Sequence, residues 1–225
     1  MENYKKKNMK IKYILFLAFV MAIAATSCKK DKYIIGGSLH DPHVNMTTYD
    51  YLKTNRLFDT LLVLIDKAGM KDEINGNVTF FAPTDYSIKA LLERREEKLQ
   101  QDMNDESLKY TLNDLPVQEL RDSLRSHLFN GKITRESLSL SNKLFTSKSN
   151  EPFSIRLIEV ESLDIVSTKP KLLFLVKLRN GLDPDPMPDN YPDENKDQFA
   201  LAQTSNIQTT TGVLHVLHNI HRFYW

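Results

Sequence analysis

Cysteine is almost missing from this chain: Cys28 is the only one among 225 residues. That excludes an intramolecular disulfide, a pair of thiolate metal ligands and a CxxC redox couple. A charge excess of one sign is missing too, since 30 Lys and Arg face 29 Asp and Glu for a net +1. Without a basic field, and without a recognition motif, nucleic acid is excluded as a partner. No apolar run is long enough to span a bilayer as a mature helix; the longest, residues 13–25, is too short. Catalytic signatures are absent as well: no G-x-S-x-G elbow, no Walker loop and no H-E-x-x-H. Ser126 beside His127 makes no triad, because neighbours at a helix end point in different directions and nothing orients the imidazole.

What is present begins with an address. Lys5, Lys6, Lys7, Lys10 and Lys12 precede the apolar run, which closes on Ala25-Thr26-Ser27-Cys28. Basic, apolar and small-residue zones in that order are those of an export signal, residues 1–27. The ending resembles the lipobox of bacterial lipoproteins, with Ala25 where Leu is usual. That resemblance implies acylation of Cys28, a membrane partner through the lipid, and localisation to the bacterial cell envelope. Several acyl chains would anchor the protein stably without spanning the membrane. Lys29 and Lys30 follow the cysteine where Asp would favour the inner membrane, so the expected site is the outer membrane, with surface exposure open. Removing the signal leaves the mature chain at about −3.

Residues 28–45 mix Lys, Gly36-Gly37, Pro42, His40 and His43 without periodicity, which suits a solvated tether. The rest, residues 46–225, with 41% hydrophobic residues over the whole chain, is enough for one globular domain. Thr47 or Thr48 caps a helical stretch carrying Leu52, Leu57, Phe58, Leu61, Leu62 and Ile65, and Gly69 ends it. Residues 77–82 alternate as a strand, and Pro83 stops it by removing an amide donor. Thr84 and Asp85 then supply oxygens for the first amides of a helix over 86–101. Pro116 opens another helix, which delivers Ser126-His127.

Strands are expected at 144–146, 153–160, 163–166 and 171–178, with the apolar run 172–176 covered on both faces. Residues 183–197, with four Pro and six acidic residues, form a long surface loop. Asp185, Asp189 and Tyr191 are its candidate contacts for a partner. The loop fits no known calcium-loop spacing and lacks the EF-hand Gly, so it implies no metal site. Residues 207–211 and 213–220 read as a closing hairpin turning at Gly212. On such a strand His215 and His221 share a face about 20 Å apart while His218 points away, so the three do not form a zinc site.

Three stretches in order resemble the signatures of the fasciclin domain family. They are Phe80-Phe81-Ala82-Pro83-Thr84-Asp85, then His127 shortly before Gly131, then Gly212-Val213-Leu214-His215-Val216. Ser126 replaces the Tyr that usually precedes the histidine. The motifs span most of the mature chain in a single copy. The resemblance implies an α+β fold, a wedge or sandwich of about seven β-strands with several short α-helices packed against it. Phe80, Pro83, Thr84, Asp85, His127, Gly212 and His215 are then structural, the histidines satisfied internally, and Ser126 remains a candidate contact. No catalytic residue and no cofactor is expected. The implied function is non-catalytic binding or adhesion to an extracellular protein or glycan. The alternatives are an accessory glycan-binding lipoprotein of an outer-membrane polysaccharide uptake system and, third, an enzyme or pigment binder.

Overall fold

The computed structural model describes residues 41–161 and 169–224. The export signal, Cys28, most of the tether, the strand expected at 163–166 and Trp225 lie outside the described residues. The fold below is that of the compact unit from Pro42 onward. No described helix is long and apolar enough to cross a membrane.

The chain enters through helix α1 (Thr48–Leu52), capped by the Thr47 hydroxyl, which accepts the Asp50 amide at 3.2 Å. The single helical stretch read from the sequence is in fact broken. Asn55 accepts the Leu57 amide through its side chain and starts a 3-10 turn, after which α2 (Asp59–Ala68) begins afresh. An Asx side chain offers the backbone a local alternative to the helix, which apolar periodicity does not register. Leu61, Leu64, Ile65 and Ala68 face inward, and Gly69 ends α2 in the left-handed region at φ 65°. A short α3 (Lys71–Ile74) leads to β1 (Val78–Ala82), all five residues of which are buried.

Beyond Pro83 runs α4 (Asp85–Met103), and after a loop α5 (Val117–Ser126). The strands that follow are β2 (Leu128–Asn130), β3 (Leu144–Thr146), β4 (Pro152–Glu159), β5 (Lys171–Lys177), β6 (Gln198–Gln208) and β7 (Val213–Leu217). They form one seven-stranded sheet in the order β2-β1-β7-β6-β5-β4-β3. Only β1 and β7 run parallel; every other pair is antiparallel. A bridge between Phe129 and Ser147 brings the two ends of the sheet together, so it nearly closes as a barrel-like wedge. That contact covers edges that would otherwise invite another chain.

The period-2 rule divides the interior. Val78, Phe80 and Ala82 of β1, with Leu214 and Val216 of β7, pack against the helices. Phe81, with Phe129, Phe153, Ile155, Leu173, Leu175 and Leu217, fills the second core inside the curled sheet. β1 therefore serves as a wall shared by two cores, which is why it tolerates apolar side chains on both faces.

Three strand expectations need correction. β2, three residues long, is too short to produce a periodic signal. β6 begins nine residues earlier than the sequence indicates, because the polar run Gln203-Thr204-Ser205-Asn206 masks it; two register shifts bend the strand there. The run 172–176 is covered fully on one face and partly on the other: Leu173 and Leu175 are buried, whereas on the outer face Val176 is buried but Leu172 and Phe174 are half-buried.

Candidate functional site

The signature residues converge on the C-terminal segment. β7 ends at Leu217, and residues 218–224 turn back across the end of the domain. Three contacts hold that return. The Thr84 hydroxyl reaches Asn219 Oδ1 at 3.0 Å, the Ser123 hydroxyl donates to the Phe223 carbonyl at 2.6 Å, and His127 Nε2 meets His221 Nε2 at 2.7 Å. Phe223 is fully buried with its ring stacked parallel to His127, centroids 6.0 Å apart. Thr84 thus ties two distant segments instead of capping α4, since it makes no capping bond there. Asp85 caps another helix: its carboxylate accepts the Thr60 and Leu61 amides, at 2.9 and 3.0 Å, in the first turn of α2. The helix dipole favours a negative charge at that end.

Both signature histidines are interior. His215 Nε2 donates to the Ile133 carbonyl at 2.9 Å, Nδ1 accepts the Asn206 amide at 3.1 Å, and the ring stacks on Phe81 at 4.7 Å. His127 Nδ1 donates to the Ser123 carbonyl at 2.7 Å, so its Nε2 accepts and His221 supplies the shared proton. Burial pushes His127 and His215 each down to about 4 and His221 well below its ordinary value. Around His127 the Lys177 ammonium adds to this, opposed by the Ser123 hydrogen bond and by Glu151. The placement of His221 on an extended strand is therefore wrong: the chain reverses after Leu217 and brings this imidazole to His127. No group of three His, Cys, Asp or Glu among the described residues is placed to hold a metal ion.

Gly212 has a spatial reason. A Cβ there would stand 2.2 Å from the Val78 carbonyl oxygen, because the turn into β7 lies directly on β1. Thr209 fixes that turn, its hydroxyl accepting the Gly212 amide at 2.9 Å.

On the outer face of the sheet, the returning segment and β6 border a groove of about 560 Å³. Its floor is Phe174, Phe199, Ala200 and Leu201, and its rim is Gln198, His218, Ile220, His221 and Arg222. Phe199 meets Phe174 edge to face at 6.3 Å, and the Arg156 guanidinium lies over the Phe199 ring at 5.9 Å.

A family model described as the fasciclin domain matches residues 56–169, just over half of the chain. The chain belongs to the fasciclin domain family. Fasciclin domains are generally non-enzymatic adhesion domains. Among solved structures, the chain is similar to a fasciclin domain pair from the insect cell adhesion molecule fasciclin I, at 14% identity and a TM-score of 0.47. The alignment covers 76% of this chain and 49% of that one, so this chain spans about half the length of the pair. No curated protein matches the sequence.

In this fasciclin domain the position before the signature histidine lies at the bottom of a surface pocket that Glu119, Glu151, Lys177 and Tyr224 also line. Ser126 is 2% exposed, and its hydroxyl donates to the Ser123 carbonyl at 2.7 Å. The expectation of a contact at Ser126 is thereby corrected: its side chain turns back onto α5 and leaves a partner almost no surface of its own. The acidic loop is at the surface, with Asp185 and Asp189 exposed and Tyr191 half-buried. Its base is fastened reciprocally, the Asp183 amide donating to Asp197 at 3.0 Å and the Asp197 amide to Asp183 at 3.1 Å. Two of its six carboxylates are thus engaged by backbone amides. Phe199 and Arg222 carry no periodic signal in the sequence, and His221 is misplaced by it, because β6 begins earlier and β7 ends earlier than the sequence indicates. An aromatic immediately after the acidic loop was the one available signal.

Proposed function

We propose that this fasciclin domain is the binding head of an envelope-anchored, non-catalytic adhesion lipoprotein. Membership of the fasciclin family carries the reading. Cys28, behind an export signal and ahead of a polar tether, supplies the lipid anchor and places the domain at the outer membrane. Asp185, Asp189 and Tyr191 offer a protruding, acidic contact surface for an extracellular protein.

The test uses the full chain and its Cys28→Ser variant expressed in a Gram-negative host fed labelled palmitate. Wild type should carry label, fractionate with outer membranes and increase retention of cells on protein-coated surfaces; Cys28→Ser should lose all three. Unlabelled wild type still fractionating with membranes would refute the anchor, and unchanged retention would refute adhesion. A glycan-uptake role remains the second reading, favoured by the exposed Phe199 ring on the sheet face. Saturable binding to one polysaccharide class on a glycan panel would put it first.

A further inference from the structure

The groove on the outer sheet face has a composition that adhesion through the acidic loop does not use. Phe199 is 50% exposed and Ile220 85% exposed, side by side with half-buried Phe174 and Leu201. Apolar surface of this kind rimmed by polar groups marks a binding site. The volume of about 560 Å³ lies within the range of roughly 300–1,000 Å³ of small-molecule sites.

The rim decides the ligand's polarity. Its lining holds no Asp or Glu, although charged residues make up 26% of the chain. Arg222 lines it with no ion pair among the described residues. His218 Nδ1 accepts the Ile220 amide at 3.3 Å, so the neutral ring carries its proton on Nε2 as a donor with no partner among the described residues. The Gln198 side-chain amide is also without a hydrogen bond among the described residues, though its backbone pairs in the sheet. Donors and the Arg222 cation on the rim, with the Arg156 guanidinium over the Phe199 ring beside them, are complementary to an anion on an apolar body, and a guanidinium matches a carboxylate through two parallel hydrogen bonds.

We infer that the groove between β6 and residues 218–222 binds a small organic carboxylate. Its aromatic or short acyl body lies on Phe199, Phe174 and Leu201, and its anionic end is held by Arg222 with His218 and Gln198. This site is independent of the adhesion reading. Phe199 is held upright for the purpose, Phe174 bracing its edge and Arg156 covering part of its ring.

The test follows fluorine NMR of 4-fluorophenylacetate with the full-length protein in phosphatidylcholine nanodiscs, empty discs serving as the blank. Expected are saturable line broadening, affinity at least tenfold weaker in Phe199→Ala and in Arg222→Gln, and only partial recovery in Arg222→Lys, which keeps the charge but not the planar fork. The neutral isostere 4-fluorophenylacetamide should bind at least tenfold more weakly. Equal binding of the amide overturns the anionic part of the inference, and tighter binding of galacturonate overturns the apolar part. Absence of binding by protein whose far-UV circular dichroism shows it folded overturns the site, as does binding indifferent to both variants. Both variants change surface side chains, so loss of folding is not expected to mask the result.

Discussion

Acid should unfold this domain through its buried histidines. In the native state His127 and His215 are held near 4, against an ordinary value of about 6.5, by burial among apolar groups. The folded value lies below the unfolded one, so between these limits the unfolded chain binds more protons. The stabilisation is therefore complete above about pH 6.5 and is lost as pH falls toward 4. Each site changes stability by about 1.4 kcal/mol per pH unit in this window, or about 3 kcal/mol in all. Together they remove about 6 kcal/mol, comparable with the roughly 5–15 kcal/mol of a typical domain. His221 is pushed down by burial as well, so the unfolded chain takes up a third proton in this window that the folded chain does not. The exposed carboxylates held low by hydrogen bonds, Asp50, Glu96, Asp105, Asp114 and Asp193, act only below this range. Urea unfolding followed by far-UV circular dichroism should show stability falling by about 4 kcal/mol per pH unit between pH 6 and 5. In His127→Asn, whose amide can still donate to Ser123, the slope should drop by about a third, since His215 and His221 remain buried. A wild-type stability flat from pH 7 to 5, or an unchanged slope in His127→Asn, would refute the reasoning.

Phe80→Ala removes a fully buried ring from the helix-side core and should cost about 3–5 kcal/mol, read as a lowered urea midpoint. Gly212→Ala forces a methyl against the Val78 carbonyl; a loss of about 1–3 kcal/mol is expected, and a melting temperature equal to wild type would show that β1 and the turn are not in contact. Asp85→Ala leaves two amides at the start of α2 without their acceptor, for about 1–2 kcal/mol in the same assay. Ser126→Ala should cost about 1 kcal/mol or less, since the Ser123 carbonyl keeps its bond from His127.

The clearest signals in the chain are those that act over a few residues. The alternation 77–82, the stop at Pro83, the helices after residues 84 and 116 and the end of α2 at Gly69 all follow from spacing and backbone chemistry. The same locality explains the failures. Asp85 stands at the start of one helix and caps another, because the end of β1 places it beside α2. β6 carries few apolar residues in its second half, where its partner is β7 and its outer side faces the segment around His43 and the turn at Arg135.

The sequence by itself determined three short signatures, which are residue types at fixed local offsets and resemble those of the fasciclin family. The α+β class, a sheet of about seven strands and the interior role of His127 and His215 followed from that resemblance and not from the spacing of the residues. Tertiary structure alone decided the parallel pairing of β1 with β7, the union of Thr84, His127 and Ser123 with the returning C-terminal segment, and the burial of Ser126. It also created the groove at Phe199, whose walls come from β5, β6 and residues 218–222. Such contacts join residues from about 90 to 135 positions apart along the chain, as His127–His221 and Thr84–Asn219 do, and no periodicity along the chain records which of them meet.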